Sequence, residues 1–266
     1  MDATQSAMLW YKTLLSELGS AAHIGIEGPA GRRAKRRVDA LIELFFGISK
    51  ELDLAELLEI GANNAETSRR LVTTGNEKHA LAIEASPTVC ERTKANGIPD
   101  KLNLVNYAIG TKAGNITFYS PNDPYYSVWG STSKRRGFDD VTEIQVPMIT
   151  MDQAGEKLVS NPNQRNIAIW ADVEGMVLDV LNSGPLLLDN RVALVYVEVN
   201  DINAYENSAN SVKVIEKLLM HGFIPVARDN EFHDAWNLLA LHKSYFDAPR
   251  ETLLRWIYNE TREITG

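Results

Sequence analysis

Asp172 and Glu174 are the residues of this chain best suited to acid–base chemistry, because they stand where an apolar run passes into a helical pattern. In an open parallel sheet, ligands bind outside the carboxyl ends of the strands, so both carboxylates are predicted to face a cleft. A carboxylate there can take a proton from an attacking hydroxyl group. One alternative stays open for Asp172, since an acidic residue after a strand can also cap the next helix.

A second strand end with similar features lies upstream, in the segment from Leu57 to Thr67. Gly61 and Ala62 are small, so a ligand can approach the backbone closely, and the helix that follows offers unpaired N–H groups. The turn lacks the lysine of a phosphate loop and the later glycines of G-x-G-x-x-G. Glu59, directly before the turn, would repel a pyrophosphate but suits a ligand that carries an ammonium and a sulfonium.

A third acidic residue, Glu84, ends the next strand pattern, about 20 residues after the glycine turn. An acidic side chain at that position can accept hydrogen bonds from both hydroxyls of a ribose. The alternative is a solvated surface glutamate. The spacing from Gly61 favours the ribose interpretation.

These segments resemble the signature of the FkbM family of S-adenosylmethionine-dependent methyltransferases. That signature is an acidic residue before V-G-A-N-x-G, an acidic strand end, an N-x-A-[IL]-G segment and D-x-E-G-x-E. The order and spacing match over about residues 54 to 242, and the corresponding segments here are Glu59–Ala65, Ile83–Glu84, Asn106–Gly110 and Asp172–Val177.

Two positions depart from the family pattern. The glycine after G-A-N is Ala65, which is still small and leaves slightly less room for a ligand. The second glutamate of D-x-E-G-x-E is Val177, so the role of that glutamate cannot be carried over.

The resemblance implies a Rossmann-like, doubly wound, mostly parallel seven-stranded sheet, the class I methyltransferase fold. It also implies S-adenosylmethionine as cofactor and methylation of a hydroxyl on a small-molecule or glycan acceptor, either a surface polysaccharide, a lipid-linked sugar or a natural product. The residues expected to bind the cofactor are Glu59, Gly61, Ala62, Asn63, Glu84, Ala85, Asn106, Ala108 and Asp172.

Asp172 is the first candidate for the catalytic base, followed by Glu198 and His233. Asp172 and Glu198 end neighbouring strands and could instead hold a divalent cation, with Asn200 or Asp201 supplying further oxygen ligands. The spacing does not require a metal, and none is predicted.

The polar, aromatic segment Ser120–Ser133 is the expected substrate-facing loop. Aromatic rings such as Trp129 stack on the C–H surfaces of sugars or polyketides, while polar groups orient hydroxyls. Ser131 and Thr132 stand where the family commonly has a serine pair, and Glu174 is expected to position Asp172 or the substrate. The alternative is a surface loop whose aromatic rings fold back onto the core.

Strand and helix patterns alternate along the chain, which implies a doubly wound sheet. The predicted strands are 55–60, 79–84, 102–108, 167–171, 192–199, 223–228 and 237–241. Two further strands, 115–120 and 143–149, alternate with a period of two. The predicted helices are 66–74, 87–96, 174–183 and 209–221, after a helical region that ends near Lys50.

Length and composition favour one methyltransferase domain, 51–243, with an N-terminal helical extension, 1–50, and a C-terminal helix, 244–266, packed on it. A net charge of −8 argues against nucleic acid as a partner. Arg32–Arg37 is a basic run that suits either a solvated helix face or peripheral contact with an anionic membrane. No apolar run approaches about 18 residues, so a cytoplasmic protein is expected, as monomer or homodimer.

Two other functions stay open at the level of the sequence. Glu84 would serve the ribose of a nicotinamide dinucleotide equally well, although Glu59 and the missing G-x-G-x-x-G disfavour such an oxidoreductase. A non-catalytic domain that keeps the fold for interactions is the other alternative.

Overall fold

Two β-sheets and the helices around them form the part of the chain that the computed structural model describes, namely residues 29–74, 78–201, 205–206, 208–229 and 235–245. The strands in these ranges are β1 (Glu56–Ile60), β2 (His79–Glu84), β3 (Leu102–Asn106), β4 (Ala108–Ile109), β5 (Gly114–Pro121), β6 (Val141–Ile149), β7 (Ile167–Ala171), β8 (Val192–Asn200), β9 (Phe223–Arg228) and β10 (Ala235–His242). The helices are α1 (Pro29–Glu51), α2 (Glu66–Thr74), α3 (Pro87–Ala95), α4 (Met151–Gly155), α5 (Val177–Asn182), α6 (Pro185–Asn190) and α7 (Ser211–Met220), with short 3-10 helices over Pro124–Trp129 and Lys243–Tyr245.

The larger sheet has seven strands in the order β3-β2-β1-β7-β8-β10-β9. The first five pair in parallel, and β10 runs antiparallel to both β8 and β9. This arrangement confirms the predicted Rossmann-like, doubly wound and mostly parallel sheet. The order of the strands along the chain reverses between β1 and β7, and ligands bind at such a switch point.

Both faces of the large sheet are buried, which explains why its strands read as nearly continuous apolar runs. In β8, Val195 and Val197 belong to the apolar cluster that α4 to α7 cover. Leu194 and Tyr196 belong to the cluster on the other face, under α1 to α3. The helices therefore fix the strand ends that carry the candidate site.

Helix α1 packs against the centre of the sheet. Its buried apolar residues recur at helical spacing and are Leu41, Leu44, Phe45 and Ile48. Trp170 and Tyr196 stack at 3.6 Å between ring centroids on neighbouring strands, and the edge of Phe45 meets them at 5.2 and 6.0 Å. This aromatic group joins α1 to the core of the sheet.

A three-stranded sheet, in the order β4-β6-β5, lies at the carboxyl edge of the large sheet. Strands β5 and β6 pair antiparallel over their whole length, as their alternating residues predict. Phe118, Val146 and Met148 form a small core with Ala108, and Ala85 from the loop after β2 packs against it. We call residues 114–149 the roof.

Three local details differ from the sequence predictions. The helix predicted over 174–183 begins only at Val177, because Gly175 has a φ of +81° and residues of a right-handed helix have negative φ. The strand predicted over 102–108 is two strands that belong to different sheets. Helices α4 and α6 have five and six residues, too few for a periodicity to be seen in the sequence.

Some predictions fall outside the described residues: His233, residues 1–28 of the N-terminal extension and residues 246–266 of the C-terminal helix. The basic run Arg32–Arg37 lies on α1, where Arg32, Lys35 and Arg36 are exposed. Among the helices in the described ranges, none is both long enough and apolar enough to cross a membrane.

Candidate active site

A cleft opens between the carboxyl ends of β1, β2 and β7 and the roof. Polar groups reach it from Glu84 at the end of β2, from Asp172 and Glu174 after β7 and from Ser131 of the roof. Its apolar wall consists mainly of Ile60, Ile83, Val89, Ile109 and Phe118. The cleft lies at the switch point of the sheet, where the sequence predicted a ligand site.

Gly61 allows the loop after β7 to pack directly on the loop after β1. Its φ is +77°, and a Cβ atom there would overlap the carbonyl oxygen of Asp172. The main-chain N–H of Asp172 donates to the carbonyl of Ile60 at 3.0 Å. Gly61 therefore allows the loops after β1 and β7 to pack closely, and it also lines the cleft.

Two more residues of this turn have left-handed backbone conformations. The φ angles are +46° for Asn63 and +55° for Ala65. A residue with a Cβ atom pays about 1–2 kcal/mol for that conformation, whereas glycine adopts it freely. The geometry thus gives a physical reason for the glycine that the family has at the position of Ala65.

Glu59 lies behind the turn rather than in the cleft wall. Its side chain accepts a hydrogen bond from the N–H of Ser68 at 3.0 Å, at the start of α2. Burial raises the pKa of Glu59 to about 7, against the opposing effect of the N–H groups of Ser68 and Thr67. This geometry supports a role in holding the turn against α2, whereas direct contact with a ligand ammonium stays a prediction.

Glu84 is held with both carboxylate oxygens at the cleft. One oxygen accepts from the N–H of Ser86 at 2.7 Å and the other from the N–H of Asn63 at 2.8 Å. Burial raises the pKa of Glu84, and the negative charge of Asp172 adds to this effect. Each oxygen keeps a second lone pair, so the group can accept further hydrogen bonds from a ligand.

Asn106 positions the end of β2 instead of lining the cleft. Its side-chain amide donates to the carbonyls of Glu84 at 2.8 Å and Ala85 at 2.9 Å. Ala85 and Ala108 line the cleft beside it. The segment 106–110 thus shapes the cleft partly through the backbone of the neighbouring strand.

Three carboxylates meet where β7 and β8 reach the carboxyl edge of the sheet. One oxygen each of Asp172, Glu174 and Glu198 lies within 4.8 Å of the others, with Asp172 exposed and the two glutamates half-buried. Like charges at this distance disfavour one another unless a proton, a cation or hydrogen-bond donors offset them. We call these three residues the carboxylate triad.

The roof contacts the triad through Ser131. Its hydroxyl donates to the main-chain carbonyl of Glu174 at 2.8 Å and accepts from the N–H of Ser133 at 3.1 Å. Ser131 and Thr132 both line the cleft. Trp129 does not, because its ring stacks on Tyr126 at 4.4 Å and contacts the guanidinium of Arg135 at 4.0 Å.

The structure brings nine of the predicted site residues into the cleft wall: Gly61, Asn63, Glu84, Ala85, Ala108, Ser131, Thr132, Asp172 and Glu174. Glu198 adjoins them through the triad, and the residues that pack outside the wall are Glu59, Ala62, Asn106 and Trp129. Sequence reasoning missed Phe118, which lines the wall, and Tyr205, whose hydroxyl donates to Glu174.

A parallel sheet of this strand order with one antiparallel strand, and a cleft at its switch point, define a Rossmann-like methyltransferase fold. The chain belongs to the FkbM methyltransferase domain family, whose model matches residues 59–242. The match runs from Glu59 in β1 to the end of β10 and so contains the whole cleft.

Several solved methyltransferases are similar to this chain. One is a precorrin-6y C5,15-methyltransferase from Geobacter metallireducens GS-15, with 14% identity, 77% of this chain and 86% of that chain covered, and a TM-score of 0.39. Another is the magnesium protoporphyrin IX methyltransferase from Synechocystis PCC 6803 with bound S-adenosylmethionine, with 7% identity, 91% and 98% covered, and a TM-score of 0.42. No curated protein matches the sequence.

Proposed function

We propose that this protein is an S-adenosylmethionine-dependent O-methyltransferase that methylates a hydroxyl of a glycan or a natural product. The observation that carries the proposal is the pairing of Glu84 with the carboxylate triad across one cleft. The first suits the ribose of the cofactor, and the second suits the hydroxyl of an acceptor.

The cofactor side of the cleft fits a nucleoside. Glu84 is only 8% exposed, yet its carboxylate lines the cleft and keeps lone pairs for the two ribose hydroxyls. Ile83, Val89 and Ile109 offer an apolar surface of the kind on which a planar adenine ring packs. Asn63 and Gly61 would lie along the chain of the amino acid moiety.

The charge of the cleft supports a sulfonium cofactor over a nicotinamide dinucleotide. Glu84, Asp172 and Glu174 all reach the cleft, and Glu198 stands next to them. A pyrophosphate is disfavoured among these carboxylates, whereas a ligand that carries a positive sulfonium and an ammonium is stabilised. This argument supports methyl transfer rather than hydride transfer.

On the acceptor side, the protein has to align a hydroxyl and remove its proton. S-adenosylmethionine supplies an already activated methyl group, so alignment and exclusion of water are the main tasks of the protein. Asp172 is the most exposed member of the triad and is the proposed base, with Glu198 as the next candidate. Proton removal by such a group contributes about 10²–10⁴ in rate.

The roof supports a carbohydrate or another ring-rich acceptor. Trp129 is engaged inside the roof, but the neighbouring Tyr125 is 82% exposed and meets Tyr126 edge-on at 5.0 Å. An exposed tyrosine offers a ring face for C–H surfaces and a hydroxyl for hydrogen bonding. Tyr125, rather than Trp129, is therefore the proposed stacking residue of this loop.

Methyl transfer from labelled S-adenosylmethionine to a panel of sugars, lipid-linked glycans and polyketides tests the proposal. We expect turnover with at least one hydroxylated acceptor and at least a hundredfold loss in Asp172→Asn, because the proton acceptor is removed. No turnover with any acceptor would instead support a non-catalytic domain, and such a domain should also fold normally with Asp172→Asn or Glu198→Gln.

A metal-assisted form of the reaction is the second candidate, which is favoured by the presence of three carboxylate oxygens within 4.8 Å of one another. Carboxylate oxygens are the ligands that Mg²⁺ prefers, and a cation there could bind two acceptor hydroxyls. The same assay with EDTA distinguishes the two forms. Loss of activity on chelation, restored by Mg²⁺, supports the metal, and unchanged activity supports a direct role of Asp172 as base.

A further inference from the structure

The side chain of Glu174 is held by a tyrosine that comes from a distant part of the chain. Tyr205 lies 31 residues after Glu174 and is 1% exposed. Its hydroxyl donates to a carboxylate oxygen of Glu174. Arg135 in turn donates from its guanidinium to the tyrosine oxygen at 3.0 Å, so the phenolic proton is directed to the glutamate.

The backbone around Glu174 is built to admit this tyrosine. Gly175 has a φ of +81°, and a Cβ atom there would lie 2.8 Å from the ring of Tyr205. Real Cβ atoms do not approach an aromatic ring so closely, so the glycine after Glu174 is required for the ring to pack. The glycine of the D-x-E-G segment is therefore needed in this chain to leave room for the ring of Tyr205.

The roof is joined to the same contact. Arg135 and Tyr205 form an isolated antiparallel bridge, and the N–H of Glu206 donates to the carbonyl of Lys134 at 3.1 Å. The guanidinium of Arg135 also lies 4.0 Å from the ring centroid of Trp129. Arg135 therefore connects the aromatic part of the roof to the acidic side of the cleft.

The protonated state of Tyr205 allows its hydroxyl to act as a hydrogen-bond donor to Glu174. Burial raises its pKa well above the usual range, and the charge of Glu174 adds to this effect. The phenol is therefore protonated at neutral pH. It can donate to Glu174 without competing for the proton that an acceptor loses.

We infer that Tyr205, supported by Arg135, is a positioning residue that fixes the Glu174 carboxylate at the acceptor side of the cleft. This inference rests on the proposed function, because it assigns Glu174 to the place that the transferred methyl group approaches. The negative charge of Glu174 is then held at a fixed position. A charge at a fixed position can favour a ligand with a positive group nearby over a ligand without one.

Sinefungin and S-adenosylhomocysteine provide a test that needs no acceptor. Sinefungin carries an amine, protonated at neutral pH, near the position of the transferred methyl group, whereas S-adenosylhomocysteine has no group there. The ratio of their dissociation constants, measured by calorimetry, therefore reports on the acceptor side of the cleft. We expect Tyr205→Phe to lower the preference for sinefungin at least fivefold while the affinity for S-adenosylhomocysteine changes less than twofold.

Three further variants separate positioning from general loss of structure. Glu174→Gln should lower the preference similarly, and Tyr205→Phe should add little in that background, because Tyr205 acts through Glu174. Tyr245→Phe is the matched control, since it loses a hydroxyl that donates to the carbonyl of Arg165 before β7, at the opposite edge of the sheet. It should leave the preference unchanged.

An unchanged preference in Tyr205→Phe, or equal weakening of both ligands, would overturn the inference while leaving the proposed function intact. If the wild-type protein binds neither sinefungin nor S-adenosylhomocysteine, the proposed function is wrong, and this inference with it.

Discussion

Glu59 and Glu84 show how two carboxylates in similar sequence positions acquire different tasks. Glu84 is the last residue of β2, Glu59 is the last but one of β1, and both accept hydrogen bonds from backbone N–H groups. Glu84 keeps its oxygens at the cleft, whereas Glu59 points to the start of α2. The difference follows from the register of the two strands, because Glu59 stands beside Ala82 and Glu84 therefore lies two residues further towards the carboxyl edge of the sheet. A residue type alone does not encode this.

Glu59 should make the stability of the protein depend on pH. Its pKa of about 7 in the folded protein lies above the usual value of 4.5, so the folded protein keeps a proton between these values that the unfolded chain has lost. The free energy of unfolding should therefore fall by about 3 kcal/mol as the pH rises from 4.5 to 7.

Urea unfolding at a series of pH values measures this dependence. Glu59→Gln should remove that part of the slope, and Glu66→Gln, an exposed neighbour, should keep it. If the Glu59→Gln and wild-type curves remain parallel over this range, Glu59 is not protonated in the folded protein.

At the scale of elements, the cleft depends on how closely the loops after β1 and β7 approach. The hydrogen bond from Asp172 to Ile60 and the missing Cβ of Gly61 bring the two loops together. Since Asp172 is the proposed base, the packing of these loops also sets the position of the catalytic group relative to the cofactor.

Gly61→Ala should destabilise the protein more than the same substitution does at a left-handed glycine with free space around it. The φ angles of Gly61 and Gly97 are +77° and +81°, but a Cβ at Gly97 meets no atom within 4 Å. Gly97→Ala should therefore cost about 1 kcal/mol for the backbone conformation alone. Gly61→Ala should cost at least about 2 kcal/mol more, because the added methyl overlaps a main-chain carbonyl.

Denaturant unfolding of the two alanine variants compares these costs directly. Equal losses of unfolding free energy would show that the loop after β7 can move away from Gly61 at little cost. The assignment of Gly61 to close packing of the two loops would then be wrong.

At the scale of the whole molecule, α1 shares a hydrophobic core with the large sheet. Phe45 is fully buried against Trp170 and Tyr196, which stand on the two strands that lead to the triad. The boundary expected between an N-terminal extension and the methyltransferase domain, at residue 50, is based on a change of sequence pattern. Because α1 packs into the core of the sheet, we expect it to unfold together with the sheet.

Phe45→Ala should lower the free energy of unfolding by about 3–5 kcal/mol, because it empties a position in a close-packed aromatic group. Phe46→Ala is the matched control: Phe46 is half-buried and contacts the guanidinium of Arg70 at 3.9 Å. The loss of unfolding free energy in Phe46→Ala should be clearly smaller.

A single unfolding transition seen by both tryptophan fluorescence and circular dichroism would show that α1 unfolds with the sheet, and two transitions would contradict this.

The alternation of strands and helices and two residues of the cleft wall could be predicted from sequence, because local patterns determine them. Gly61 and Glu84 are found by their spacing along consecutive β-α units. Tyr205 could not be found in this way, since its contact with Glu174 depends on how a loop after β8 meets the roof. Trp129 was predicted to face a substrate for the same reason that it packs with Arg135: aromatic rings suit both environments, and only the conformation of the loop decides.

Binding of S-adenosylhomocysteine, measured by isothermal titration calorimetry, tests the central claim most directly. We expect one site per chain in the wild-type protein and a tenfold to hundredfold weaker affinity in Glu84→Ala, about what the loss of charged hydrogen bonds to the ribose costs. Glu91→Ala, which removes an exposed partner of Lys94 on α3, should bind like the wild type. No binding by the folded wild-type protein, or equal binding by Glu84→Ala, would contradict the assignment of this cleft to the cofactor.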